Sequence, residues 1–270
     1  MNKKLYKETF SQVTSACQNK MEVIMSYETK SKKHRINKKL AVVAIAIAIT
    51  IALSLSVYAL VKLLTPAEIA REMGRDNLAA AFENGNGTYI GKSVTSDGYT
   101  FTLQGLALGS GLDEYKNYTD IDAEQSYFVF SIQNNDGTAF DLTNDFGHFT
   151  SGVFFKGYRP WMFSSFMLGA GSQGFEKDGV LYMLLHCDEN IEMLADSEVY
   201  FAIWDSSEIG FAPSSNLLTI HEDGSITFAD NISTAHAMFT LPLDPNKANP
   251  DLVNQKLNEN GILKEDAKIN

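Results

Sequence analysis

Cysteine is scarce in this sequence: 270 residues hold two, Cys17 and Cys187. A small disulfide-stapled module needs several, so that class is excluded. There is no C-x-x-C pair and no H-E-x-x-H motif, and the five histidines are scattered, so zinc-type ligand spacing is absent. The EF-hand spacing and its glycine are missing as well, and the sequence shows no internal repeat. Charged residues are 20% of the chain, apolar residues 44% and aromatics 11%, which fits globular material and argues against wholesale disorder or a collagen-like chain. The most informative absence is local. From Leu40 to Val61, 22 residues carry no charge at all.

That run reads LAVVAIAIAITIALSLSVYALV. At about 1.5 Å per residue it makes a helix of roughly 33 Å, enough to cross a hydrocarbon core of about 30 Å. Thr50, Ser54 and Ser56 can bond back to the helix, and Tyr58 suits the interface. A cleaved signal peptide is the competing reading, but a 39-residue charged region is too long for one, and the apolar region exceeds the usual length of about 7–15 residues. The charge is split across the run. Residues 1–39 hold 10 Lys+Arg against 3 Asp+Glu, a charge of +7, whereas residues 40–270 carry −18. Lys32, Lys33, Arg35, Lys38 and Lys39 stand just before the run and only Lys62 just after it. The positive-inside rule therefore predicts a single-pass protein of the cell membrane, with a cytosolic head over 1–39, a transmembrane helix over 40–62 and residues 63–270 outside. Cys17 and Cys187 then lie on opposite sides and cannot bridge within one chain.

In the head, Leu5, Phe10, Val13, Cys17, Met21, Ile24 and Met25 recur at spacings of three and four, an apolar stripe on a short helix or helix pair. Thirty-nine residues cannot bury such a stripe alone. It reads as a docking face for a cytosolic partner, with Leu5, Phe10, Val13, Met21 and Ile24 as contacts, or else as a loosely ordered tail or a helix lying on the bilayer. The basic stretch from Lys30 to Lys39 adds attraction to anionic membrane lipid. It has no reading motif for nucleic acid, and no direct nucleic-acid partner is expected.

Outside the run, Thr65-Pro66-Ala67-Glu68 predicts a capped helix and Asp76 opens a second, so 63–87 reads as a helical juxtamembrane segment. Strand patterns dominate 88–270. Thr88–Thr95 and Tyr99–Leu108 flank the turn Ser96-Asp97-Gly98. Further strands are expected over 126–133, 152–156, 180–186, 199–204, 217–221 and 225–229, with a short helix from Pro250 to about Asn258. The fold class is thus mainly β and sandwich-like, with short flanking helices.

No catalytic centre emerges. Gly169-Ala170-Gly171-Ser172-Gln173-Gly174 matches G-x-G-x-x-G, but no helix signal follows it, so it reads as a flexible loop and no dinucleotide is expected. Ser172 with His148, His186 or His221 lacks the strand–turn–helix setting of a hydrolase nucleophile. His186-Cys187-Asp188 reads as a strand end, where neighbours point to opposite faces, and not as metal ligands. Asp113, Glu114, Asp120, Asp122 and Glu124 read as a solvated acidic loop. The expectation is a protein that is not an enzyme and uses no cofactor. Residues 146–166 hold eight aromatics, more often core than surface in a β domain. Tyr158, Arg159 and Trp161 are the candidates for an exposed face that meets an extracytoplasmic ligand or partner.

The order of parts resembles single-pass proteins of clostridia and related Gram-positive bacteria that are akin to proteins carrying the domain of unknown function 4179. The resemblance lies in YKETFSQVTSACQNKMEVI, the basic stretch before the run, LTPAEIAREMGRDNLAAAFENG, SDGYTFTLQGLALGSGL and FTLPLDPNKANPDLVNQKL. It implies an anti-sigma-like regulator, with a head that holds a sigma factor and an outer sensor domain. The head has no His/Cys zinc arrangement, which sets it apart from zinc-dependent anti-sigma proteins. A passive anchor carrying an outer binding or adhesion module is the alternative.

Overall fold

The computed structural model describes residues 63–142 and 147–269. These belong to one compact unit that begins at Leu63. The expected transmembrane run and the head lie outside the described residues. Among the described residues no helix is long and apolar enough to cross a membrane.

Two short helices open the unit, α1 (Pro66–Glu72) and α2 (Asp76–Glu83). The start of α1 is a full capping box. The Thr65 backbone N–H donates to Glu68 Oε2 at 2.8 Å, and Glu68 N–H donates to Thr65 Oγ1 at 3.2 Å. Two of the orphan donors of the first turn are thereby satisfied, and Pro66 sits where its missing N–H costs nothing. Gly74, at φ +72°, takes the left-handed conformation that turns the chain back for α2. Ile69, Ala70, Leu78, Ala79 and Phe82 are fully buried.

Ten strands follow: β1 (Thr88–Ser96), β2 (Tyr99–Leu108), β3 (Ser126–Asn134), β4 (Phe149–Phe155), β5 (Ala170–Lys177), β6 (Val180–Cys187), β7 (Val199–Asp205), β8 (Leu218–Ile220), β9 (Ile226–Phe228) and β10 (His236–Thr240). One sheet has the order β1-β2-β3-β6-β5, a second β10-β7-β4, and β8 pairs β9 alone; every pairing is antiparallel. A last helix, α3 (Pro250–Glu259), and one turn of helix, α4 (Lys264–Ala267), close the chain.

The two larger sheets enclose a common core. Phe101, Leu103, Phe128, Phe130, Leu181, Met183 and Leu185 of the first meet Val153, Phe155, Val199, Phe201 and Ile203 of the second. Phe128 stacks on Phe201 with centroids 5.1 Å apart and planes 6° apart, while Phe130 meets the same ring edge-on at 5.2 Å. These rings couple the sheets, each buried aromatic contributing roughly 1.5–3 kcal/mol by area. Val253 and Leu257 of α3 join the same core. On its other face, the five-stranded sheet is contacted by α1 and α2, with α1 against β3 and β6 and α2 against β2. The outer face of the second sheet buries Phe154 and Trp204 against Leu218 and Ile226 of the β8–β9 hairpin.

The chain is therefore mainly β with short helices, as its patterning predicts. Two strands escape that patterning. The glycine-rich stretch expected as a flexible loop is β5, an edge strand. Its register on β6, from Ala170↔Cys187 to Lys177↔Val180, is set by the turn Asp178-Gly179, whose positive φ values of 54° and 82° suit a tight hairpin. Pairing with an apolar central strand overrides the low strand propensity of Gly171 and Gly174. β10 is only five residues long and is held by its ladder to β7.

Candidate functional site

A pocket of about 430 Å³ opens where β3 begins and β6 ends. Tyr127 and His186 are direct partners in the β3–β6 ladder, so both point to the face that carries the helix pair. Arg75, in the turn between α1 and α2, supplies one wall. Lys116, Tyr118, Thr119, Ile121, Asp122 and Gln125, from the connection between β2 and β3, supply the rest. That connection is built from two 3-10 turns, Gly109–Gly111 and Asp113–Tyr115, and is anchored by buried Leu112, Tyr115 and Ile121.

Two hydrogen-bonded systems hold the walls. In the first, Asp120 reaches across to α2. The Asn77 backbone N–H donates to Asp120 Oδ2 at 2.9 Å and its side chain to Oδ1 at 2.6 Å, while Arg75 Nη1 donates to the Asp120 carbonyl at 2.9 Å. The residue at the start of α2, Arg75, makes no side-chain capping bond, so Asp120 caps the helix from 43 positions along the chain. Partial burial pushes the Asp120 carboxyl upward, but the Asn77 bonds and the Arg75 charge outweigh it and hold the carboxyl below its usual range. In the second system, Asp122 N–H donates to Tyr127 Oη at 2.8 Å, and Tyr127 Oη donates to Gln125 Oε1 at 2.8 Å. Gln125 Nε2 then donates to Asp188 Oδ1 at 3.0 Å, and that oxygen lies 3.6 Å from His186 Nε2. Burial pushes the Tyr127 hydroxyl up from its ordinary value, so it remains a neutral donor across the physiological range. His186 lies close over Gly171. A Cβ at that glycine would stand 2.5 Å from His186 Cε1, so only glycine admits the ring in this position.

The exposed face expected around residue 158 is not built that way. Tyr158 is 8% exposed and packs on Phe163 with centroids 5.1 Å apart, with Lys268 Nζ 5.3 Å above its ring. It belongs to the core because the 156–169 crossover between the sheets folds inward there, as buried Phe163 and Leu168 also show. Arg159 is committed to the C-terminal segment: its backbone N–H donates to Ala267 O at 2.7 Å and its guanidinium to the carbonyl of Asp266. Trp161 is half-buried. Phe149, Phe154 and Phe155 are core residues too. The head residues Leu5, Phe10, Val13, Met21 and Ile24 lie outside the described residues.

Ser172 and His186 do not meet as a nucleophile and base. Gly171 is the ladder partner of His186, so Ser172 points to the opposite face of the sheet. Cys187 is fully buried on the core face, and burial pushes its thiol up to about 12. Among the described residues no three His, Cys, Asp or Glu side chains converge as a metal site.

The pocket gathers residues that the sequence shows only separately. The acidic stretch 113–124 and the His186–Asp188 triplet are each visible, but Arg75, Lys116, Gln125 and Tyr127 carry no motif. Their convergence follows from the β3–β6 register and from the return of α2 against β2. Comparison with protein-family models, with curated proteins and with solved structures finds no match to this chain.

Proposed function

We propose that the chain is a single-pass membrane regulatory protein, with a sensing domain over residues 63–270 outside the cell and a head over 1–39 that binds a cytosolic regulator. A sigma factor is the partner that the family resemblance implies. The observation that carries this reading is the 22-residue uncharged run set between a basic head and an acidic body. The packing around α1 is consistent with a sensing role. Just after the run, Leu64 N–H donates to Tyr182 Oη of β6 at 3.2 Å, and Glu72 of α1 pairs with Lys177 of β5. A displacement of the first helix would thus act on the five-stranded sheet and on the turn that carries Arg75.

Topology is tested with thiol labelling in intact cells. A membrane-impermeant maleimide should label Asn258→Cys, which is exposed on α3, while Cys17 should react only after permeabilisation. Equal labelling of both in intact cells, or of neither until lysis, would sink the topology. Partner binding is tested by pairwise two-hybrid assay of the head against the sigma factors of the source genome, native against Phe10→Asp. Loss of one specific signal in the variant supports regulation. A head that binds no sigma factor moves the reading to a passive anchor bearing an outer binding module, for which the pocket described above is the supporting observation.

A further inference from the structure

We infer that the pocket at the β3–β6 end binds a small molecule through an oxyanion, either a phosphate or a carboxylate, and that this is the ligand site of the proposed sensing domain. The pocket gathers donors that the protein itself leaves unspent. Among the described residues, Lys116 Nζ, Tyr118 Oη and Thr119 Oγ1 have no hydrogen-bond or ionic partner, and the Arg75 guanidinium spends one bond, on the Asp120 carbonyl. His186 adds a ring nitrogen on the same wall. The neighbouring acids are already engaged. Both Asp120 oxygens accept from Asn77, and Asp188 accepts from Gln125, leaving Asp122 as the one carboxylate on the lining.

This clustering runs against the character of the whole unit. Residues 63–270 hold 11 Lys+Arg against 30 Asp+Glu, a charge of −19. Most of the basic side chains with assigned partners are paired with carboxylates, as Arg71 with Glu83, Lys156 with Glu198 and Lys256 with Glu189. Arg75 and Lys116 instead line the same open concavity. Guanidinium and ammonium groups that converge with hydroxyl donors match an oxyanion, the first by its fork and the second as a point charge. The acidic surroundings oppose long-range attraction of anions, so the contact is a short-range one of modest affinity and shallow salt dependence. A pocket of about 430 Å³ admits a compact ligand and not a polymer. Because Arg75 belongs to the α1–α2 turn and Lys116 to the β2–β3 connection, a bound oxyanion would bridge the helix pair to the body of the domain.

The test uses the 63–270 unit, which has its own core. Inorganic phosphate and succinate are titrated separately at constant ionic strength against chloride, with glucose as a neutral control, and followed by amide and ring resonances in NMR. The expected result is saturable binding of phosphate or of succinate, with shifts centred on Tyr118, Tyr127 and His186; which of the two saturates identifies the headgroup. Lys116→Gln, at an exposed position, should weaken that binding at least fivefold while the melting temperature of the free protein stays unchanged. Hydrogen exchange across 66–83 should slow on binding. The inference is overturned if neither anion saturates, if glucose binds in their place, or if Lys116→Gln binds as the native unit does. None of these outcomes depends on where the chain sits relative to a membrane, so failure here and failure of the topology are separable.

Discussion

Replacing Asp120 with alanine tests whether one carboxylate holds the helix pair to the rest of the domain. The substitution removes two acceptors, the Oδ2 that caps Asn77 N–H and the Oδ1 that takes the Asn77 side chain. Loss of a helix N-terminal cap costs about 0.5–2 kcal/mol. The second bond involves a charged acceptor, but Asp120 is only half-buried, so water replaces part of it. The expected loss is about 2 kcal/mol in urea unfolding of the 63–270 unit, with Asp120→Asn, which keeps one acceptor, losing roughly half. Hydrogen exchange should place the effect: amides of 76–83 should lose protection while those of β3 and β7 lose little. pH gives an independent check. The Asp120 carboxyl is held below its usual range in the folded state, so its contribution is present above the unfolded value of about 3.9 and is lost as pH falls through the lower folded value. The gap between native and Asp120→Ala proteins should therefore be full near neutrality and close in acid. A variant as stable as the native protein at pH 7, or one whose deficit persists unchanged in acid, would refute this account.

Three further predictions follow from the geometry. Phe201→Ala empties the ring position that Phe128 and Phe130 share between the sheets, and should cost about 3–5 kcal/mol in denaturant unfolding, against less than about 1.5 kcal/mol for Phe201→Leu. Cys187, fully buried with its thiol pushed up to about 12, should resist iodoacetamide in the folded 63–270 unit and react at a rate that tracks unfolding; rapid labelling in native buffer would contradict its placement. Gly171→Ala should push the half-buried His186 ring off its position, shifting the ring resonances and weakening oxyanion binding, while stability changes by about 1 kcal/mol or less because the ring can swing outward.

The sequence by itself determined which local structures could form. Thr65-Pro66-x-Glu68 writes its own helix start, and the Asp-Gly pair at 97–98 writes a tight turn, because capping bonds and positive φ depend on residues a few positions apart. Alternation of Tyr99, Phe101 and Leu103 with Thr100, Thr102 and Gln104 in β2 likewise announces a buried sheet face. The uncharged run 40–61 is equally a local signal, and the membrane reading rests on it and on the charge that flanks it. Tertiary structure decided what neighbours in space. Gly171 and Gly174 lie in a strand because β6 offers them a ladder, and Tyr158 is buried because the crossover that carries it folds into the core. The pocket draws on Arg75, Lys116, Tyr127 and His186, residues up to 111 positions apart. Their separation leaves no spacing to read, since ladder register and helix packing are set by burial of apolar faces and not by the polar residues those faces bring together.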